Sequence, residues 1–116
     1  MIILNSDWVK DFPAVVTLCD TNGKIIEMND AAADHFRKNG GRELIGRSVF
    51  DCHPEPARSK LKTMLHNGVK NCYTIEKNGM KKLIYQTPWY KKNGEYAGFV
   101  EMIIAIPSDA PHYIRG

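Results

Sequence analysis

The sequence is short of most features that announce a chemistry. Its 116 residues hold three cysteines, Cys19, Cys52 and Cys72, an odd number with no Cys-x-x-Cys spacing. Neither a disulfide framework nor a zinc knuckle is indicated, and the expected setting is the reducing cytoplasm. No apolar run approaches the roughly 20 residues that a membrane helix needs. The start, MIILNSDW, lacks the basic region, long apolar core and small-residue cleavage site of a signal peptide. The net charge is only +3, and the lysines are scattered, which gives no footprint for nucleic acid. No phosphate-binding loop, metal-ligand cluster or kinase motif is visible, and a catalytic role is not expected.

What is present is one domain's worth of ordinary globular sequence, 43% apolar and 25% charged. The stretch Glu43 to His66 is its centre. A short apolar turn closed by Gly46 leads to a Cys52-His53-Pro54 corner and then to an amphipathic helix. In that helix Ala57, Leu61, Met64 and Leu65 share one face, while Arg58, Lys60 and Lys62 are expected to face water. Asn67-Gly68 closes it.

Before this centre, Ser6-Asp7 reads as the cap of a short leading helix whose apolar face is Trp8, Val9 and Phe12. Residues 14–28 read as a hairpin about Thr21-Asn22-Gly23-Lys24, and Asn29-Asp30 caps a small helix through Ala31–Ala33 to Phe36. After the centre, strands are expected over 72–77, 82–90 and 96–106, joined at Asn78-Gly79 and Lys92-Asn93-Gly94-Glu95. Pro88 marks an irregularity or an edge. The expected organisation is an N-terminal amphipathic helix or cap over 1–12, a domain over 13–107 and a flexible tail over 108–116. Hairpins at both ends with helices between them give an α+β fold, a five-stranded antiparallel sheet with helices over one face.

Apolar alternation places Leu83, Tyr85, Thr87 and Trp89 together, and Val100, Met102, Ile104 and Ile106 together. The expected inward face joins Leu83, Tyr85, Val100 and Met102 of these to Val16, Leu18, Met28, Phe36, Val49, Phe50, Leu61, Met64, Tyr73 and Ile75 under the helices. The candidate ligand-contacting residues are His53, Cys52, Phe50 and Phe36, with Met64, Tyr73, Tyr85 and Met102. The competing expectation is a filled core with His53 as a hydrogen-bonded corner residue.

Three stretches then resemble the PAS domain (sensory box) family over about Phe12 to Ile106. AVVTLCDTNGKIIEMNDAAADHF resembles its first hairpin and Asn-x-Ala helix. ELIGRSVFDCHP resembles the short helix and Gly-closed turn before the long helix, and TPWYKKNGEYAGFVEMI resembles the last hairpin. The Cys-His-Pro corner is similar to that of PAS modules associated with hemerythrin-like signalling proteins. The resemblance implies a sensor or docking module with a ligand cavity between sheet and helices. It also implies a homodimer formed through the leading helix and the outer sheet face, and a signalling partner protein. It leaves the cofactor open. Flavin photochemistry needs a thiol where Val49 stands, and a haem sensor would need His53 as its iron ligand, because the long helix puts no histidine on its inner face. A small organic molecule, or no ligand, is the remaining expectation. Pro107 replaces the direct run from last strand to output helix that the family shows.

Overall fold

The structure, a computed structural model, describes residues 7–116, with the side chain of Cys52 not described. The expected Ser6 cap lies outside the described residues. From Asp7 the chain forms α1 (Asp7–Lys10), β1 (Val15–Cys19), β2 (Ile25–Met28) and α2 (Asp30–His35). Three short 3-10 turns follow, at Arg37–Asn39, Gly41–Leu44 and Val49–Cys52. Then come α3 (Ala57–Asn67), β3 (Asn71–Lys77), β4 (Met80–Tyr90) and β5 (Tyr96–Ile106). Beyond Ile106 the chain is irregular and exposed.

All five strands belong to one sheet in the order β2-β1-β5-β4-β3, and every neighbouring pair is antiparallel. The turns explain the hairpins. Asp20 Oδ1 accepts from the backbone N–H of Asn22 and of Lys24, both at 2.9 Å, and closes β1 onto β2. Asn78 and Gly79 both have positive φ, 54° and 77°, the requirement of a two-residue turn between β3 and β4. Asn93 Oδ1 accepts from Glu95 N at 2.9 Å in the turn before β5. The irregularity expected at Pro88 is local: β3 pairs with β4 only as far as Gln86, and Pro88 pairs with Phe99 of β5. With no strand on its other side, β4 needs no N–H donor there.

Asn29 joins the beginning of the chain to the sheet. Its Oδ1 accepts from Val16 N and from Ala32 N, both at 3.0 Å, so one oxygen serves β1 and caps α2. Its Nδ2 donates to Ala14 O at 2.8 Å and to Val9 O and Phe12 O at 3.3 Å. The side chain is almost fully buried, and its donors and acceptor are all used.

Two apolar clusters lie between the sheet and the helices. One gathers Cys19, Met64, Leu65 and Phe99; the other gathers Ile25, Met28, Ala32 and Leu44. Val49 packs against both. The polar cross-strand row described below runs between apolar neighbours on this inner face.

The structure reverses the side assignment of three strands. Successive residues of a strand face opposite sides. Thr17 and Cys19 of β1, Gln86 of β4, and Phe99 and Glu101 of β5 face the helices, lining cavities with Leu61 and His53. Tyr85 and Met102 therefore lie on the opposite side, as cross-strand partners in register with Val16 and Cys72. The reason is compositional. The outer face, with Val16, Leu18, Leu83, Val100 and Met102, is more apolar than the inner one, so placing the apolar set inward selects the wrong side. β2 and β3 keep the expected side, with Met28 facing the helices and Tyr73 and Ile75 lining the inner cavities.

Candidate functional site

Opposite residues of an antiparallel sheet project side by side. One such row crosses the inner face: Met28 pairs with Thr17, Thr17 with Glu101, Glu101 with Gln86, and Gln86 with Asn71. Four consecutive members are thus polar, in the wall that faces α3. The rows on either side are largely apolar. Cys19 pairs with Phe99 on one side; Val15, Ile103, Ile84 and Tyr73 follow one another on the other.

The row is hydrogen-bonded in one direction. Gln86 Nε2 donates to Glu101 Oε2 at 2.7 Å, and Asn71 Nδ2 donates to Gln86 Oε1 at 3.0 Å. A carboxylate only accepts, so Gln86 must present its amide nitrogen to Glu101 and its oxygen to Asn71. The Asn71 amide nitrogen is then committed, which leaves its Oδ1 as the outward acceptor. Glu101 is half-buried and forms no ion pair with any lysine, arginine or histidine among the described residues. Thr17 Oγ1 is buried and makes no hydrogen bond.

The opposite wall is the corner before α3. Ser48 Oγ accepts from Phe50 N at 3.1 Å and starts the last 3-10 turn. That turn lets His53 Nδ1 meet the Val49 carbonyl oxygen at 2.7 Å. A carbonyl cannot donate, so Nδ1 carries the hydrogen, and the neutral ring keeps Nε2 as an acceptor. Arg58 was expected to face water. It is instead half-buried, and its Nε donates to Phe50 O at 3.1 Å and to His53 O at 3.0 Å, tying the corner to the first turn of α3. Glu55 accepts from Ser59 N at 2.8 Å and from Ser59 Oγ at 2.7 Å, and these bonds hold its carboxyl below the ordinary value.

Between the walls lie adjoining cavities that share His53 and Glu101. One, of about 260 Å³, is lined by Ala57, Lys60, Leu61, Met64, Asn71, Tyr73 and Gln86 besides those two. Another, of about 300 Å³, extends past Tyr73 to Phe36, Ile75, Ile84 and Ile103. Narrower spaces of about 60 Å³ reach Thr17 and Val49. Burial raises the Tyr73 hydroxyl above its ordinary pKa, and the negative charge of Glu101 adds to this.

Of the residues singled out from sequence, the structure brings His53, Phe36, Met64 and Tyr73 to these cavities. Phe50 packs against the Cys19 cluster, beneath Lys62 Nζ at 5.3 Å from its ring centre. Tyr85 lies on the other face of the sheet, with Lys70 Nζ 5.5 Å from its ring centre, and Met102 is beside it. The Cys52 side chain is not among those described. Thr17, Asn71, Gln86 and Glu101 were missed. The signal that finds them is the polar residue recurring at alternate positions in otherwise apolar strands, read across strands rather than along them.

Among the described residues no helix is long and apolar enough to cross a membrane, and no group of three or more His, Cys, Asp or Glu side chains could hold a metal ion.

A sheet of this order, with short helices and one longer helix over a single face and a cavity between, defines a PAS-like α+β domain. The profile of the PAS fold family matches residues 9–68, and the chain belongs to that family. Solved structures agree. The PAS domain of BvgS from Bordetella pertussis superposes with a TM-score of 0.66 at 15% identity, over 89% of this chain and 84% of that one. The Aer2 receptor of Vibrio cholerae, described as a dual PAS-heme oxygen sensor, gives 0.58 at 19% identity, over 81% of this chain and 95% of that one. VqmA bound to DPO gives 0.62 at 18% identity; the match covers 88% of this chain and 56% of that one. No curated protein sequence matches this chain.

Proposed function

We propose that this domain is a sensory module that binds a small molecule between α3 and the inner sheet face, and that it signals rather than catalyses. The observation that carries this reading is the Thr17–Glu101–Gln86–Asn71 row. A filled structural core has no use for a half-buried carboxylate without a counter-ion, whereas a ligand pocket is mostly apolar with a few placed polar groups. Cavities of about 260 and 300 Å³ suit a metabolite-sized guest. VqmA, solved with DPO bound, is a neighbour of the same fold. A reducing, cytoplasmic setting fits the free thiols of Cys19 and Cys72.

The test is native mass spectrometry of freshly purified protein, followed by a thermal-shift screen of small metabolites on wild type and Leu61→Trp. A retained or stabilising compound whose effect disappears in Leu61→Trp supports the reading. Protein that carries nothing and responds to nothing overturns it.

A second reading, a haem sensor, is favoured by one observation. The Val49 carbonyl fixes His53 Nδ1 and leaves Nε2 free, the arrangement that orients an imidazole toward a metal. The Aer2 neighbour is a PAS-heme sensor. The carboxylate of Glu101 on the facing wall counts against it, because an anionic cofactor would meet a like charge. A Soret band on adding hemin, lost in His53→Ala, would establish it; a flat spectrum would remove it.

The outer sheet face is the proposed homodimer surface, since Val16, Leu83, Val100, Met102 and Ile104 form an apolar wall there. Sedimentation of wild type against Met102→Lys tests this: a dimer that the lysine dissociates supports it, and a monomer throughout overturns it. A signalling partner protein would then read the dimer.

A further inference from the structure

We infer that the ligand is a small organic cation, an apolar body carrying one protonated amine, seated with its N–H groups against Glu101. The inference rests on the cavity reading above and adds the chemistry of the guest.

The polarity of the two walls carries it. On the sheet side, one N–H of the Gln86 amide is given to Glu101 and one N–H of the Asn71 amide to Gln86, so the one formal charge in the row is the Glu101 carboxylate. What the row offers a guest is the carboxylate of Glu101, with only Oε2 engaged, and Asn71 Oδ1. On the helix side, the donor of His53 is spent on Val49, which leaves the Nε2 acceptor. Arg58 is turned away and held by two backbone carbonyls. Glu101, Asn71 and His53 thus present acceptors to one space, and Glu101 is the one carboxylate in its lining; Lys60 lines the same cavity but is exposed and forms no ion pair with Glu101. Thr17 adds a buried hydroxyl without a partner, which can accept as well as donate. A guest carboxylate would meet the like charge of Glu101. A guest with N–H donors and a positive charge would complete the set, and its body would lie on Leu61, Met64, Phe36 and Ile84.

A ring-matched series tests this: phenethylamine, phenethyl alcohol and phenylacetate, titrated into wild-type protein, Glu101→Gln and Leu61→Trp by calorimetry and by amide chemical shifts. The amine is expected to bind more tightly than the alcohol by about tenfold or more, because only the ammonium adds an ion pair to its hydrogen bond with Glu101, and phenylacetate least. Glu101→Gln should weaken the amine by about tenfold or more and the alcohol by less, so that the preference is lost. Alcohol or phenylacetate binding as tightly as the amine, or an amine affinity indifferent to Glu101→Gln, overturns the inference. So does a failure of all three to bind wild type. The cavity reading is decided separately: any probe response lost in Leu61→Trp sustains it, whichever way the charge preference falls.

Discussion

Glu101 and Gln86 stand opposite one another on β5 and β4, and the amide nitrogen of Gln86 donates to the Glu101 carboxylate at 2.7 Å. This one bond fixes the direction of the whole row, in which Gln86 gives an N–H to Glu101 and Asn71 gives one to Gln86. It also leaves a carboxylate partly withdrawn from water with a single protein hydrogen bond, a state that costs folding energy until something pairs with it.

The first prediction follows from that cost. Glu101→Gln keeps an acceptor for Gln86 and removes the charge, so the ligand-free variant should be as stable as wild type or more so, by up to about 1 kcal/mol. Thermal unfolding of both ligand-free proteins checks this; a fall of several degrees would mean that the charge is paired in the folded state.

Asn29 should be far less tolerant. Asn29→Asp keeps Oδ1 for Val16 and Ala32 but replaces the amide donor with an oxygen facing the carbonyls of Val9, Phe12 and Ala14. Denaturant unfolding should show a loss of about 3 kcal/mol or more, and Asn29→Ala about 2–4 kcal/mol. If the aspartate variant were milder than the alanine, the three carbonyl contacts would not matter to stability.

Of the glycines, Gly98 comes closest to neighbouring backbone. A Cβ there would lie 1.9 Å from Cys19 O and 2.8 Å from the carbonyl carbon and Cα of Asp20, and its φ is +136°. Cys19 O also accepts from Trp89 Nε1 at 3.1 Å, so the oxygen cannot retreat without breaking that bond. Gly98→Ala should lose about 2–4 kcal/mol and shift the Trp89 fluorescence. An unchanged emission with full stability would contradict the close approach.

Cys19 carries a pH dependence. Burial pushes its thiol from 9.0 to about 11. Between those values the unfolded chain releases the proton and the folded chain retains it, so unfolding is increasingly favoured as pH rises. The stabilisation is complete below pH 9 and is lost toward pH 11, on the order of 2 kcal/mol. Cys19→Ala should lose less stability than wild type over that window. In the native protein at pH 8, an alkylating reagent should modify exposed Cys72 and spare Cys19.

Much of this fold can be read from the chain because its turns are chemically explicit. Asp20 with Gly23, Asn78-Gly79 and Asn93-Gly94 each dictate a local backbone path, and Asn29 marks a helix start by a mechanism that needs no tertiary context. The site was legible at His53, Phe36, Met64 and Tyr73, which sit at element ends or on strongly patterned faces. It was not legible on β1, β4 and β5. There the inner face holds Thr17, Gln86 and Glu101, and the outer face holds Leu18, Leu83, Tyr85, Val100 and Met102, so alternation alone points the wrong way. A rule that sends apolar residues inward presumes one buried face, and this sheet has two faces with reason to be covered. Arg58 escaped for a related reason: its spacing marks a solvent face, while its target is a pair of carbonyls in the preceding corner.

The sheet order makes β5 the middle strand, with β1 on one side and β4 on the other. As the chain leaves the ribosome, β1 and β2 can pair early, and β3 and β4 can pair later, but these two hairpins share no edge until residues 96–106 are complete. Isolated hairpins are marginal in water. A truncation within β5 would therefore not trim the sheet at its rim; it would divide it into two halves, and the polar row would lose the residue that joins them.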